Sequence, residues 1–337
     1  MRQYNYMFKY YSKWTCITAL IVLGLLMPAI VEAQSAKLTL YYPVSEEDPA
    51  LGITTHIYFT ANEVIITDLS DNTFLYRQFG EDEWQRSVVD VKGPHSIAYQ
   101  PEQGLYYVND TENNRMIAFP SLDSPEIAVE KTTMAGVDLH RIHDVIYDEM
   151  TGWIYALNPY DPAVFRFKEL DGEIEKLDFS DELEYTRAIT VVDSTLYLIG
   201  SSRGKIIEIV DWDERQYKVY QSYDHKRQAP AGSWTHTGLI PNDAEFFNGK
   251  WYVSSYFTNQ YVPEPTPDTD NHKLISFDTW DDFEAGNWED LSEQLPTAFV
   301  PYFFTVHNDQ LYLAGFFDAS WEGGKHRGHV YLIEPVE

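Results

Sequence analysis

The sequence predicts an all-β protein, a six-bladed β-propeller with four-stranded antiparallel blades, and three observations predict it. Short, aromatic-rich segments alternate apolar and polar residues, the period of a half-buried strand. A strand–turn–strand unit returns six times at a spacing of roughly 50 residues, which suits a propeller blade. No sustained helical period competes with these patterns.

The units can be read in order. The first runs from His56 to Thr60, turns at Ala61-Asn62 and continues from Glu63 to Asp68. The second begins at Gly93-Pro94-His95 and returns through Leu105 to Asp110. The third spans His143 to Tyr147, a turn ending at Gly152, and Trp153 to Leu157. The fourth spans Arg187 to Val191, a turn at Asp193-Ser194, and Thr195 to Ile199. The fifth spans Asp243 to Phe247, a turn at Asn248-Gly249, and Lys250 to Ser254. The sixth spans Phe303 to His307, a turn at Asn308-Asp309, and Gln310 to Ala314. Third strands follow, as at Arg115–Phe119 and Lys205–Ile209. The sixth unit runs out after its third strand, near Ile333. The leftover segment Lys37–Tyr42 is expected to complete that blade and protect its open edge.

Residues 1–33 stand apart. Lys9 and Lys13 precede an apolar run from Thr15 to Ile30 that ends in Val31-Glu32-Ala33. This is the layout of a signal peptide cleaved after Ala33, leaving residues 34–337 as one propeller domain. Cys16 lies inside that segment, so the mature chain has no cysteine. The expected location is secreted or periplasmic, with no disulfides and no membrane insertion after cleavage. A net charge of −29 argues against nucleic-acid partners, which need basic patches. A monomer is expected.

The segment Pro94-His95-Ser96-Ile97-Ala98-Tyr99, with Leu105–Asp110 and Asn113-Asn114-Arg115-Met116, resembles an NHL-type propeller repeat. The wider group includes gluconolactonases, paraoxonases and peptidylglycine amidating lyases. Pro241-Asn242-Asp243 is similar to the blade-start segments that carry calcium ligands in the lactonases, while the histidines lean toward the zinc-bearing lyases. The resemblance therefore implies a divalent metal, zinc first and calcium second.

Read residue by residue, the unit starts place His56, His95, His143, Arg187, Asp243 and Phe303 around one axis. Three neutral imidazoles around an open position form a metal-ligand set. Arg187 suits a substrate carboxylate or phosphate. Asp243 suits a fourth ligand or a base, and Tyr302 an acid. All of this depends on register, because a one-residue slip turns a side chain to the other face.

Long loops on the same face carry Trp234, His236, Tyr256 and Trp321, aromatics that suit a sugar ring or an apolar ligand. Asn109-Asp110-Thr111 is an Asn-x-Thr sequon. Asp68, Asp110 and Asn158 end second strands, where such residues cap turns. Two functions follow. One is a metal-assisted hydrolase or lyase acting on a small, acidic or carbohydrate substrate. The other is a non-catalytic propeller that binds a glycan, peptide or protein through the same face.

Overall fold

The computed structural model describes residues 36–201, 204–223, 239–255, 274–317 and 326–335. Ala36–Glu334 form one compact unit of six four-stranded sheets. Blades 1 to 5 each run from an inner strand outward in chain order. Blade 1 is Thr54–Phe59, Glu63–Asp68, Thr73–Gln78 and Gln85–Arg86. Blade 2 is Pro94–Gln100, Leu105–Asp110, Arg115–Phe119 and Val129–Lys131. Blade 3 is Asp144–Asp148, Trp153–Asn158, Ala163–Phe167 and Ile174–Asp178. Blade 4 is Ala188–Val192, Thr195–Gly200, Lys205–Asp211 and Gln216–Gln221. Blade 5 is Pro241–Phe247, Lys250–Ser255, Leu274–Phe277 and Glu289–Asp290. Blade 6 is Phe299–His307, Gln310–Phe317, Arg327–Pro335 and, as its outer strand, Ala36–Tyr42. The N-terminal strand thus closes the ring, as the unpaired edge of the sixth unit required.

Turn chemistry fixes the hairpins. Asp193 and Ser194, Asn248 and Gly249, and Asn308 and Asp309 all have positive φ. That conformation matches the twist of the flanking strands and favours Asn, Asp and Gly. The core is divided among the blade interfaces. Ile65, Phe74, Ile97 and Phe119 pack between blades 1 and 2, and Tyr107, Met116, Ile154 and Phe165 between blades 2 and 3. Ile57, Leu75, Tyr312 and Val330 seal the interface between blade 1 and the closing blade. A short helix, Trp280–Ala285, interrupts blade 5, capped by Thr279 and Asp282 in a reciprocal box. Its Trp280 and Phe283 are buried against Trp251 and Phe277.

Candidate functional site

The inner strands decide what faces the channel, and their register is irregular at the top. In blades 1, 2, 5 and 6 the pairing shifts by one residue, between Thr54 and Ile57, Pro94 and Ile97, Pro241 and Asp243, and Pro301 and Phe304. Below these bulges Ile57, Ile97, Val145, Ile189, Ala244 and Phe304 stand opposite equivalent residues of the second strands. Counting back from them gives two layers. The lower is His56, Ser96, Asp144, Ala188, Asp243 and Phe303. The upper is Thr55, His95, His143, Arg187, Asn242 and Tyr302.

The ring expected from the sequence mixes these layers. His95, His143 and Arg187 belong to the upper one; His56, Asp243 and Phe303 belong to the lower one. The upper cavity, about 220 Å³, is lined by His95, His143, Arg187 and Tyr302 together with Arg141, Tyr160 and Tyr185. His56 and Asp243 instead line a cavity of about 280 Å³ with Asp144 and Glu245. The three histidines therefore do not surround one position. Among the described residues no group of three His, Cys, Asp or Glu side chains is placed to hold a metal ion. The expected His56–His95–His143 ligand set does not fit the geometry.

The lower layer has a structural task. Ile97 N donates to His56 Nδ1 (3.4 Å) and Val145 N to Ser96 Oγ (2.8 Å). Ile189 N donates to Asp144 Oδ2 (2.9 Å) and Phe304 N to Asp243 Oδ2 (2.7 Å). Each acceptor clamps its blade to the next by one backbone hydrogen bond. Asp243, expected as base or ligand, is a clamp whose other oxygen accepts Ala244 N at 2.8 Å. Burial pushes the Asp144 carboxyl up to about 7 and that of Asp243 well above its usual value.

The upper layer brings two imidazoles, a guanidinium and a phenol together. The His95 and His143 rings lie 3.9 Å apart, and the residues are 5 % and 4 % exposed. Burial, reinforced by the Arg187 charge, lowers His95 to about 3. His143 is lowered by burial, then by His95, Arg187 and Arg141. Both rings are neutral at pH 7. His95 Nδ1 lies 3.0 Å from Gly93 O, which can only accept. Nδ1 therefore carries the hydrogen, and Nε2 keeps its lone pair with no hydrogen bond to a described residue. Arg187 Nη1 donates to the Tyr302 oxygen (3.1 Å), and that hydroxyl lies 3.3 Å from His143 Nε2. Arg187 also lies over the Tyr185 ring, with its guanidinium carbon 5.3 Å from the centroid.

No protein-family model and no curated protein sequence matches this chain. Solved structures do. A virginiamycin B lyase from Staphylococcus aureus superposes with a TM-score of 0.55 at 12 % identity, over 82 % of this chain and 80 % of that one. A luciferin-regenerating enzyme gives 0.57 at 10 % identity, over 88 % and 95 %. Kuenenia stuttgartiensis hydrazine synthase gives 0.56 at 13 % identity, over 84 % and 82 %. The likeness is one of fold, a six-bladed β-propeller.

Within this propeller, sequence reasoning reached His95, His143, Arg187 and Tyr302 but missed Arg141, Tyr160 and Tyr185. Arg141 and Tyr185 each stand two residues before an upper-layer position, and that offset was the available signal. Trp234, His236, Tyr256 and Trp321 lie outside the described residues. Asp68, Asp110 and Asn158 do brace loops at the blade starts, accepting from Gly52 N, Lys92 N and His140 N respectively.

Proposed function

We propose that the propeller is an enzyme of the lyase or hydrolase kind, acting on a small carboxylate-bearing substrate in the upper cavity. The observation that carries this reading is the line Arg187–Tyr302–His143 beside the bare Nε2 of a neutral His95. A cavity of about 220 Å³ holding two arginines in so acidic a chain favours a small anion. The presence of a lyase among proteins of like fold is consistent with this.

In the lyase form, the substrate carboxylate pairs with Arg187 and Arg141. This neutralises the charge that depresses His95 and raises its basicity toward the working pH. His95 Nε2 then takes the proton next to the carboxylate. The C–H electron pair becomes the double bond, and the bond to the β-oxygen breaks. The leaving oxygen takes the Tyr302 proton, and Arg187 Nη1 stays on the phenolate. His143 Nε2 lies on the path by which Tyr302 regains a proton. No step is routed through a metal.

The test uses a panel of small acids with a β-oxygen substituent, scored by the absorbance of the unsaturated product. Tyr302→Phe is expected to lower kcat by about 100-fold or more with KM little changed. Turnover unaffected by Tyr302→Phe would overturn the mechanism. Saturable binding of the acids with no turnover would assign the propeller to ligand binding instead.

A further inference from the structure

The sequon Asn109-Asp110-Thr111 lies at the end of the second strand of blade 2, and all three residues are 0 % exposed. In the folded chain it offers no carrier for a glycan. Its side chains connect the two histidines instead. Asn109 Oδ1 accepts Ser96 N at 2.9 Å, and Asn109 Nδ2 donates to the carbonyl of His143. Asp110 Oδ1 accepts Lys92 N at 2.7 Å, just ahead of Gly93. Thr111 Oγ1 donates to Ile142 O at 2.7 Å and stands 3.0 Å from His95 Nδ1.

The Thr111 contacts are directional. Its single hydroxyl hydrogen goes to the carbonyl that precedes His143, so toward His95 the oxygen presents a lone pair. Gly93 O, the other neighbour of Nδ1, also only accepts. Gly93 can present that carbonyl because its φ is +59°, a conformation that favours glycine. An added Cβ there would come within 2.9 Å of Glu112 Cγ. Two acceptors on Nδ1 exclude the tautomer with its hydrogen on Nε2.

We infer that Thr111 is a positioning residue for the proposed proton transfer: it holds His95 in the Nδ1–H tautomer and ties that ring to the backbone of His143. The inference rests on the functional reading for its consequence, but its physical content is the tautomer and the spacing of the two rings. Thr111 is not among the residues that line the upper cavity. It turns His95 Nε2 into a lone pair that faces the cavity. Through Ile142 O it also locks the blade 3 entry, so the two imidazoles keep their 3.9 Å separation.

The experiment is a ¹⁵N NMR measurement of the histidine ring nitrogens in the full-length protein, in the wild type, Thr111→Ser and Thr111→Val. The wild type is expected to show His95 as one tautomer, with Nδ1 protonated and Nε2 bare. Thr111→Ser, which keeps the hydroxyl, is expected to retain that pattern. Thr111→Val, similar in shape but without the oxygen, leaves Gly93 O as the remaining acceptor on Nδ1 and is expected to weaken the preference, with a measurable share of the Nε2-protonated tautomer appearing. Where turnover is measured, Thr111→Val should lower kcat roughly tenfold or more and leave KM near its original value, with Thr111→Ser close to wild type. A protonated Nε2 in the wild type overturns the inference, and so does an unchanged His95 spectrum in Thr111→Val. The spectra need no substrate, so failure of the functional proposal leaves them readable. The wild-type and Thr111→Ser spectra decide the tautomer even if Thr111→Val fails to fold.

Discussion

Arg187 is the residue on which the electrostatics of the site turns. Its guanidinium touches the Tyr302 oxygen, lies over Tyr185 and depresses both upper-layer histidines. Replacing it tests those statements together. In Arg187→Gln the cation is lost and the burial remains, so the His95 pKa should rise from about 3 but stay below its ordinary value of 6.5. The imidazole carbon-proton shifts followed against pH read this directly, and an unmoved midpoint would sink the assignment. His95, His143 and Arg187 were legible in the sequence because each stands at a unit start, and Tyr302 because it immediately precedes one. Their separation from His56 and Asp243 was not. Composition does not mark strand register: His56 stands one residue before Ile57, whereas His95 stands two before Ile97, and that one-residue offset exchanges the two layers of the channel. Thr55 and Asn242 hold the positions that His56 and Asp243 were expected to fill.

The inner strand is the element that both builds the ring and presents the site. In blades 1, 2, 3 and 5 its lower-layer side chain clamps the next blade, and in blades 2, 3, 4 and 6 its upper-layer side chain lines the cavity. Asp243 belongs to the first task. Asp243→Ala leaves Ala244 N and Phe304 N without their acceptor. Buried donors of this kind cost about 1–3 kcal/mol each. Urea unfolding is therefore expected to show a loss of about 2 kcal/mol or more with an unchanged m-value. A variant of wild-type stability that had lost turnover would return Asp243 to the catalytic machinery. The hairpins themselves could be read in advance, because Asn-Gly, Asp-Ser and Asn-Asp pairs specify their turns. The short helix Trp280–Ala285 could not, since six residues carry too little periodicity to stand out from strands rich in the same aromatics.

At the scale of the whole molecule, the channel holds two sets of buried groups with opposite pH dependence. His56 and His95 are lowered to about 3, by burial first, and His143 is lowered as well. As pH falls from 6.5 toward 3 the unfolded chain takes up protons that these imidazoles refuse, so stability is lost on the acid side. Asp144 and Glu245 are raised to about 7 by burial, and Asp243 is raised well above its usual value by the same cause. As pH rises from about 4 through 7 the folded chain retains protons that the unfolded chain has released, so these carboxyls lose stability on the basic side. A net charge of −29 adds self-repulsion in the same direction. Calorimetric Tm between about pH 4 and about pH 8 should therefore pass through a maximum below neutrality. A steady rise of Tm to about pH 8 would show that the channel carboxyls ionise as freely as exposed ones.

The closing blade gives the molecule a sense of time. Its sheet joins Ala36–Tyr42 to Arg327–Pro335, and its inner strand, Phe299–His307, carries Tyr302. Contacts between segments so distant in sequence are the slowest to form. Tyr302 meets His143 across 159 residues of chain. During synthesis, blades 2 to 4 can assemble with His95, His143 and Arg187 already in place while Tyr302 is still missing. The last sheet to form is the one that completes the proposed proton relay, so a nascent or nicked ring would be silent. On the proposed mechanism, turnover begins only once the circle is shut.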